Sequence, residues 1–318
     1  MIFTVISIYN IIIGREAGGY MQINIGFGIN DKYCQHCAVT IASILANAND
    51  NDKYKFYIVY NKLSDENKTV IENLKNIKPF QVEYIKVEMS DFIDFAQYSK
   101  IDISSFFRIK LFTLEGVDKI LYMDSDVIVR TDIGELYKQN LGSNYIGGAK
   151  DILWQTLKKR YKLTENSIYV NAGVLLINTK KARELDIPTL TKSFCDSFGD
   201  LEYSDQDVIN YMCQEKIFEF DIRWNYCYPF VNEYEQQYYN SIASNPCCIH
   251  YITNNKPWNP GNNCFMKNEY FKYLKMTPFY KEVVDAYMLE EHSIILARLE
   301  VLNKKIDFML EKLFNRNN

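Results

Sequence analysis

Residues 119–130 read KILYMDSDVIVR, and this stretch decides the fold. The run KILYM has the continuous apolar pattern of a buried strand, and it stops at the acidic triplet Asp124, Ser125 and Asp126. Side chains at positions i and i+2 of an extended chain lie on the same side, so both carboxylates can point at one cation. Carboxylate oxygens suit Mg²⁺ or Mn²⁺. An isolated DxD is usually a solvated turn, and its place directly after a buried strand favours a binding site.

Strand and helix patterns alternate along the chain around this stretch. Predicted strands lie at residues 23–27, 54–60, 81–87, 119–123, 145–149 and 170–177. A helix is expected after Ser64, an N-cap followed by acidic residues, and another from Ser104 or Ser105 to about Leu114. The alternation predicts an α/β fold with a mostly parallel central sheet and helices on both faces. Ligands of such sheets bind at the carboxyl ends of the strands.

The composition is that of a soluble globular protein. Of the 318 residues, 47% are hydrophobic and 24% are charged, and the net charge is −4. These values argue against a disordered chain, a polytopic membrane protein and a general nucleic-acid binder. The eight cysteines are interpreted as free buried thiols, because a chain of this length does not need disulfides and shows no clear export signal. Cys34 and Cys37 fall in a predicted helix and are interpreted as structural.

Both ends of the chain differ from its body. Residues 1–20 are interpreted as a non-native or disordered extension, because their apolar run is too short for a membrane span and Met21 directly precedes the first strand. Residues 21–280 form the predicted domain, and residues 281–318 form a helical tail. The tail is expected to pack on its own domain or to self-associate, since its near-neutral charge argues against a membrane-surface helix. Its heptad seam consists of Ile295, Leu299, Leu302, Ile306, Met309 and Leu313.

Four motifs occur in order along the predicted domain. They are LYMDSDVIVR (121–130), YVNAGVLLIN (169–178), YSDQDVIN (203–210) and IHYITNNKPW (249–258). Together they resemble the family 8 retaining glycosyltransferases, a group that includes bacterial lipooligosaccharide galactosyltransferases and glycogenin. The resemblance covers residues 21–280 and implies a GT-A fold, in which a nucleotide-sugar-binding α/β sheet has the DxD at its centre.

The resemblance also implies which residues bind metal and diphosphate. Asp124 and Asp126 resemble the family's metal-binding pair, and His250 resembles the third ligand. A nitrogen ligand beside two carboxylates favours Mn²⁺, with Mg²⁺ as an alternative. Lys256 resembles the lysine that contacts the diphosphate, where its charge stabilises the leaving UDP. Ser125, between the two acids, is assigned to the UDP-sugar site.

Further residues resemble those around the donor sugar. Arg108 resembles the arginine that reaches the sugar and its phosphate, and Asp151 resembles the carboxylate that fixes sugar hydroxyls. The remaining candidates, beside the sugar and on its reacting face, are Asn171, Ala172, Gly173, Asp205 and Gln206. Whether Gln206 or Asp205 is a nucleophile or only stabilises charge is left open. Because a neutral amide oxygen is weakly basic, same-face attack is preferred, with the leaving diphosphate accepting the acceptor's proton.

Two loops depart from the family pattern. In the first loop, Asn30 stands where an acidic residue usually contacts the uracil or ribose, with Asp31 beside it and Tyr33 available to stack on the base. After His250 the family often has a glycine, and residues 252–255 contain none. This second departure predicts a loop that approaches phosphate through side chains or is mobile without ligand.

The motifs say less about the acceptor than about the donor and the metal ion. Residues 223–239 contain five tyrosines and one tryptophan, which favours an acceptor-side wall that stacks on sugar rings, although an ordinary core with codon bias is the alternative. Within this stretch, Arg223, Trp224 and Asn225 resemble a family segment and are interpreted as structural.

The motifs predict Mn²⁺-dependent transfer of galactose or glucose from a UDP-sugar to lipopolysaccharide or another surface glycan, with retention. A protein or glycogen-like acceptor is one alternative. Phosphoester hydrolysis by the DxD acids is another enzyme class, and a non-catalytic nucleotide-sugar-binding or coiled-coil protein is a third reading. The expected source is bacterial and the expected location is the cytoplasm. Peripheral membrane association and a homo-oligomer through the C-terminal helix are left open.

Overall fold

The computed structural model describes residues 20–92, 103–199, 201–227 and 245–314. Its strands are β1 (Gln22–Ile29), β2 (Lys53–Tyr60), β3 (Gln81–Lys86), β4 (Ile120–Met123), β5 (Val127–Val129), β6 (Ile146–Lys150), β7 (Val170–Ile177), β8 (Ile217–Glu219) and β9 (Cys248–His250). Seven of them form one sheet in the order β3-β2-β1-β4-β7-β6-β8, and β5 pairs with β9. Neighbours in the large sheet are parallel except at β7, which runs against both β4 and β6. The predicted mostly parallel sheet is confirmed.

Helices connect the strands and pack on the sheet. The α-helices are α1 (Cys34–Ala46), α2 (Asp65–Asn73), α3 (Gly134–Tyr137), α4 (Trp154–Arg160), α5 (Thr179–Ala182), α6 (Ile187–Phe198), α7 (Asp205–Met212), α8 (Lys267–Leu274) and α9 (Tyr280–Phe314). Shorter 3₁₀ helices occupy Asp31–Tyr33, Leu74–Asn76, Met89–Phe92 and Ile222–Asn225. The helix expected to end near Leu114 is present as the 3₁₀ helix Ile103–Thr113.

The strand β4 lies between two apolar layers. Its Leu121 and Met123 pack with α1 in one buried cluster. Ile120 and Tyr122 face the opposite side and pack with the 3₁₀ helix Ile103–Thr113. Alternate side chains of a strand point to opposite faces, so a strand covered on both faces must be apolar at every position. This burial explains the uninterrupted apolar run before the acidic triplet.

Helix α1 fixes the turn that contains the acidic triplet. Thr40 and Ser43 are completely buried on this helix. The Thr40 hydroxyl donates to the Ser125 carbonyl at 2.9 Å, and the Ser43 hydroxyl accepts from the Val129 N–H at 3.0 Å. Buried hydroxyls are tolerated where such partners exist. These two bonds tie the middle of the turn between β4 and β5, and the end of β5, to one helix.

The cysteines match their interpretation. All eight are free, and only Cys247 is not fully buried. Burial raises the pKa of the Cys34 thiol to about 12, with a smaller contribution from the negative charge of Asp31. A thiol with so high a pKa is scarcely nucleophilic at neutral pH.

Helix α9 begins on the domain and continues into solvent. Val283 and Val284 pack against the core cluster around α1, and the Glu291 carboxylate accepts the Gly261 N–H at 2.7 Å. Beyond this contact, the five seam residues from Ile295 to Met309 are 41–55% exposed. Among the described residues, the contacts of the tail with its domain come from its first part, as far as Ile294 and Arg298 beside Gly261. In the part of the chain that the structure describes, no helix has the length and apolarity to cross a membrane.

We expect Phe27→Ala to destabilise the fold by about 3–5 kcal/mol, the usual cost of truncating a buried phenylalanine. Phe27 is fully buried on the central strand β1, and its ring centroid lies 6.1 Å from that of Phe56. Urea unfolding monitored by circular dichroism gives the change in free energy. Met276→Ala, at a 44% exposed side chain, serves as the control and should change stability by less than about 1 kcal/mol. Equal effects of the two substitutions would contradict the core assignment.

Candidate active site

The candidate residues meet at one edge of the large sheet. Asp124 follows β4 and Asp151 follows β6, at the carboxyl ends of two strands that run in the same direction. Because β7 runs the opposite way, its first residues, including Asn171, lie at this same edge. Asp205 and Gln206 begin α7 and face the same place. Residues that are far apart in sequence thus converge as the motifs predict.

Asp124, Asp126 and His250 form a cluster that could hold a metal ion. One ligand atom from each lies within 4.8 Å of the others. The antiparallel pairing of Val127 with His250 brings β9 beside the acidic turn. The His250 Nε2 atom lies 3.2 Å from Asp126 Oδ1 and 3.7 Å from Asp124 Oδ2.

The donor set of this cluster fits a divalent cation. Two carboxylates and one imidazole suit Mn²⁺. Among the described residues, no donor makes a hydrogen bond of normal geometry to the buried Asp126 Oδ1. An acceptor buried without a partner is costly, and a cation at this position would satisfy it. The predicted three ligands are therefore close enough and chemically suitable, although the identity of the ion is a matter for experiment.

The charges in the cluster are strongly coupled. Burial alone would lower the pKa of His250, but the nearby Asp126 carboxylate outweighs it and raises this pKa to about 10. Burial opposes ionisation of Asp126, yet the charges of Lys256 and His250 hold the pKa of that carboxyl well below its usual range. A cation that binds to the imidazole must therefore displace a proton from it.

Lys256 places an ammonium group on the second oxygen of Asp126. Its Nζ atom bonds to Asp126 Oδ2 and to the Tyr251 carbonyl. The loop is anchored nearby, because the Trp258 ring stacks on the His36 ring with centroids 3.7 Å apart. Lys256 therefore lies where a cation could meet a metal-bound phosphate, as the resemblance implies.

The loop after His250 takes a shape that glycine would favour, although it has none. Thr253 has a φ of +62°, in the left-handed region. A β-branched residue is strained there, and such strain persists where the surroundings impose it. The missing glycine is thus replaced by a strained threonine in the same short loop.

Arg108 lies at the centre of the acidic cluster and is buried. Its guanidinium nitrogens lie 2.9 Å from Asp124 Oδ1 and 2.8 Å from Asp205 Oδ2, and its Nη1 donates to the Ala172 carbonyl at 2.6 Å. Burial opposes the charge of Arg108, but Asp124 and Asp205 outweigh it and raise its pKa. For Asp205, burial outweighs the attraction of Arg108 and raises the pKa to about 6. In this structure Arg108 binds the protein's own acids, and its contact with a donor stays a prediction.

Asp151, Asn171 and Gln206 share one hydrogen-bond network. Asp151 Oδ2 accepts from Asn171 Nδ2 at 3.1 Å and from Gln206 Nε2 at 3.2 Å. The Gln206 Oε1 atom accepts from the Ala172 N–H at 3.0 Å. The oxygen that a nucleophilic Gln206 would need is therefore already bonded to the backbone.

Gly173 provides room for the His250 ring. A methyl group at this position would lie 2.1 Å from His250 Cε1, far inside van der Waals contact. The resemblance places Ala172 and Gly173 beside the donor sugar. The structure shows that the immediate neighbour of Gly173 is the imidazole, and contact with the sugar stays a prediction.

The polar side chains of the first loop form hydrogen bonds to the loop's own backbone and to residues at the start of α2. Asn30 Oδ1 accepts from the Tyr33 N–H at 3.3 Å. Asp31 Oδ1 accepts from the Ser64 N–H at 2.8 Å and from Asn67 Nδ2 at 2.7 Å, and the Ser64 bond is the main cause of its lowered pKa. The Tyr33 ring is 42% exposed. The Tyr33 ring meets the edge of the His36 ring, with centroids 5.7 Å apart, and its exposure leaves room for a base, whereas Asp31 bonds to the start of a helix.

Some site residues were not singled out by the sequence reading. Asn225 bonds to both Asn171 and His250, although its segment was interpreted as structural. Asp207 accepts from the hydroxyls of Tyr161 and Tyr169, and Gln206 Nε2 donates to the same Tyr169 hydroxyl. No local sequence pattern predicts such contacts, because they join segments that are far apart in the chain. Of the Tyr-rich stretch 223–239, residues 228–239 lie outside the described residues.

Comparisons with known proteins agree with this geometry. The family model "Glycosyl transferase family 8" matches residues 24–261. A Haemophilus influenzae protein described as a glycosyltransferase is 30% identical over 210 residues, which are 64% of this chain and 63% of that protein. A lipopolysaccharide 1,2-glucosyltransferase of Escherichia coli is 26% identical, over 78% of this chain and 76% of the relative.

A solved structure supports the fold. The galactosyltransferase LgtC, in complex with donor and acceptor sugar analogs, has a TM-score of 0.71 and 24% identity, and the match covers 80% of this chain and 96% of LgtC. The fold and the metal-capable edge of the sheet define a glycosyltransferase of the GT-A class. Because the family model covers most of the chain, the protein belongs to glycosyltransferase family 8.

We expect Gly173→Ala to disrupt the candidate metal site, because the added methyl would push the His250 ring out of place. Binding of Mn²⁺, followed by the electron paramagnetic resonance signal of the free ion, should weaken at least tenfold, the scale of losses when a ligand's orientation is disturbed. Gly134→Ala, at the start of α3, is the control and should bind Mn²⁺ normally. Unchanged Mn²⁺ affinity in Gly173→Ala would show that the imidazole is not a ligand.

Proposed function

We propose that the protein is a divalent-metal-dependent hexosyltransferase that moves galactose or glucose from a UDP-sugar to a lipopolysaccharide-type or other surface glycan, with retention. The observation that supports it most is the convergence of Asp124, Asp126 and His250 with the ammonium of Lys256. The relatives named as a glucosyltransferase and a galactosyltransferase support the choice of sugars. A protein or glycogen-like acceptor is the alternative within the same chemistry.

Asp124, Asp126 and His250 would hold the ion, with Mn²⁺ preferred and Mg²⁺ as the alternative. When bound, the ion neutralises negative charge on the diphosphate. Lys256 supplies a second positive charge at the same place, and a fixed cation is most effective where charge develops on the leaving phosphate. Asn30 and Tyr33 are the proposed contacts of the nucleoside, with Asp31 holding their loop against α2.

Asp151 and Asn171 are the proposed partners of the donor sugar's hydroxyls. Gln206 is held with its Oε1 on the Ala172 N–H, which favours same-face attack over a glycosyl-glutamine intermediate. In that reaction the bond from the anomeric carbon to the diphosphate breaks while the acceptor oxygen bonds to the same carbon. The acceptor's proton passes to the departing diphosphate. Asp205, ion-paired to Arg108, contributes negative charge near the developing positive charge on the sugar.

A donor screen tests this proposal directly. Thermal unfolding is measured with UDP-Gal, UDP-Glc, UDP-GlcNAc and UDP-GalNAc, each with and without Mn²⁺. A donor present at 100 times its dissociation constant stabilises the protein by about 2.7 kcal/mol. We expect stabilisation by UDP-Gal or UDP-Glc that needs Mn²⁺, and equal stabilisation without the ion would contradict metal dependence.

The substitution Asp126→Asn tests the catalytic consequence. It keeps the size of the side chain but removes the charge that faces His250 and Lys256. We expect Mn²⁺-dependent release of UDP to fall by at least about a hundredfold, which corresponds to roughly 2.7 kcal/mol of transition-state stabilisation. Asp118→Asn, at a carboxylate that pairs with Arg183 on the surface, is a matched control. Full activity of the Asp126 variant would refute the metal role.

We further propose that two copies of the chain associate through the exposed seam of α9. Ile295, Leu299, Leu302, Ile306 and Met309 repeat with heptad spacing and are about half exposed. Leu302→Asp should then shift the protein to monomer in sedimentation analysis, because it buries a charge in the seam. Val301→Asp, at an equally exposed neighbour outside the seam, should not. A wild-type monomer at all concentrations would contradict the proposal, and vesicle binding would instead indicate a membrane surface.

A further inference from the structure

Asn225 connects the candidate metal ligand His250 to Asn171, a proposed contact of the donor sugar. It is the last residue of the 3₁₀ helix Ile222–Asn225 and is only 2% exposed. The His250 Nδ1 atom lies 2.9 Å from Asn225 Oδ1. The Asn225 Nδ2 atom donates to Asn171 Oδ1, also at 2.9 Å. Both polar atoms of a buried amide are thus used, one on each side.

The orientation of the Asn225 amide follows from its neighbours. Asn171 Oδ1 also accepts from the Gly173 N–H at 3.0 Å, and a backbone N–H can only donate. Asn171 Nδ2 faces a carboxylate oxygen of Asp151, which accepts. The Asn171 oxygen must therefore point at Asn225, and the Asn225 atom that meets it must be the amide nitrogen. This leaves Asn225 Oδ1 facing His250.

The same reasoning fixes the proton on the imidazole. Since Asn225 Oδ1 is an acceptor, His250 Nδ1 must be the donor. The other candidate acceptor, Cys227 Sγ, lies 3.5 Å away and is the weaker one. A neutral His250 therefore has its lone pair on Nε2, the atom that faces Asp124 and Asp126.

We propose that Asn225 is a positioning residue that holds His250 in the tautomer and orientation needed to ligate the metal. The inference rests on the proposed metal site. An imidazole ligand usually donates its second N–H to a fixed acceptor, which sets its orientation and raises its basicity. Asn225 supplies that acceptor, and its bond to Asn171 ties the ligand to the network of Asp151 and Gln206.

Two substitutions separate positioning from packing. Asn225→Leu keeps the volume and removes both hydrogen bonds, whereas Asn225→Asp keeps an acceptor for His250 Nδ1. We expect Asn225→Leu to weaken Mn²⁺ binding by about 10- to 100-fold and Asn225→Asp to retain most of the affinity. The readout is the electron paramagnetic resonance signal of free Mn²⁺ in a titration of the full chain without donor. Both variants are also compared by thermal unfolding.

Asn178→Leu provides the matched control. Asn178 is a half-buried asparagine after the other end of β7, where it bonds to the Asn144 carbonyl and the Lys181 N–H. It should lose stability without losing Mn²⁺ affinity. Equal Mn²⁺ affinity in Asn225→Leu and wild type would overturn the positioning role, as would equal losses in the Leu and Asp variants. If His250→Ala leaves the wild-type affinity unchanged, the proposed metal site itself fails and the positioning role fails with it.

Discussion

A buried guanidinium holds the candidate active site together. Arg108 meets Asp124 at the end of β4, Asp205 at the start of α7 and the Ala172 carbonyl on β7. Removing one partner from a buried ion pair typically costs about 3–5 kcal/mol, because the remaining charges lose their compensation. One side chain from the 3₁₀ helix Ile103–Thr113 therefore links the start of α7 to the neighbouring strands β4 and β7.

A similar compensation operates on the metal side of the cluster. Asp126 has the protonated His250 near one oxygen and Lys256 on the other. Two carboxylates so close to each other would otherwise favour protonation of one of them. Because the charges of Lys256 and His250 lower the pKa of Asp126, that carboxyl stays ionised.

The local features of the site could be predicted from the sequence, whereas strand direction and contacts between distant segments could not. The acidic triplet after KILYM is a local signal, and its place at the end of β4 is confirmed. The direction of β7 could not be read, because a buried apolar run looks the same in either orientation. The contact of Asp31 with the nucleotide stays a prediction, and its hydrogen bonds to Ser64 and Asn67 could not be predicted because they depend on a helix that starts 34 residues later. The role of Asn225 needs two partners, Asn171 and His250, from separate segments and could not be derived from spacing.

The position of Lys256 follows from constraints on both sides of its loop. Thr253 accepts a left-handed backbone that costs roughly 1–2 kcal/mol in a residue other than glycine. On the other side of Lys256, the Trp258 ring stacks on His36 of α1, and this contact helps to stabilise the loop against that cost. Since α1 also holds the acidic turn through Thr40, the same helix places Asp126 and the loop of Lys256. The ammonium of Lys256 is therefore held beside Asp126 by contacts within the protein, as the proposed role of this lysine requires.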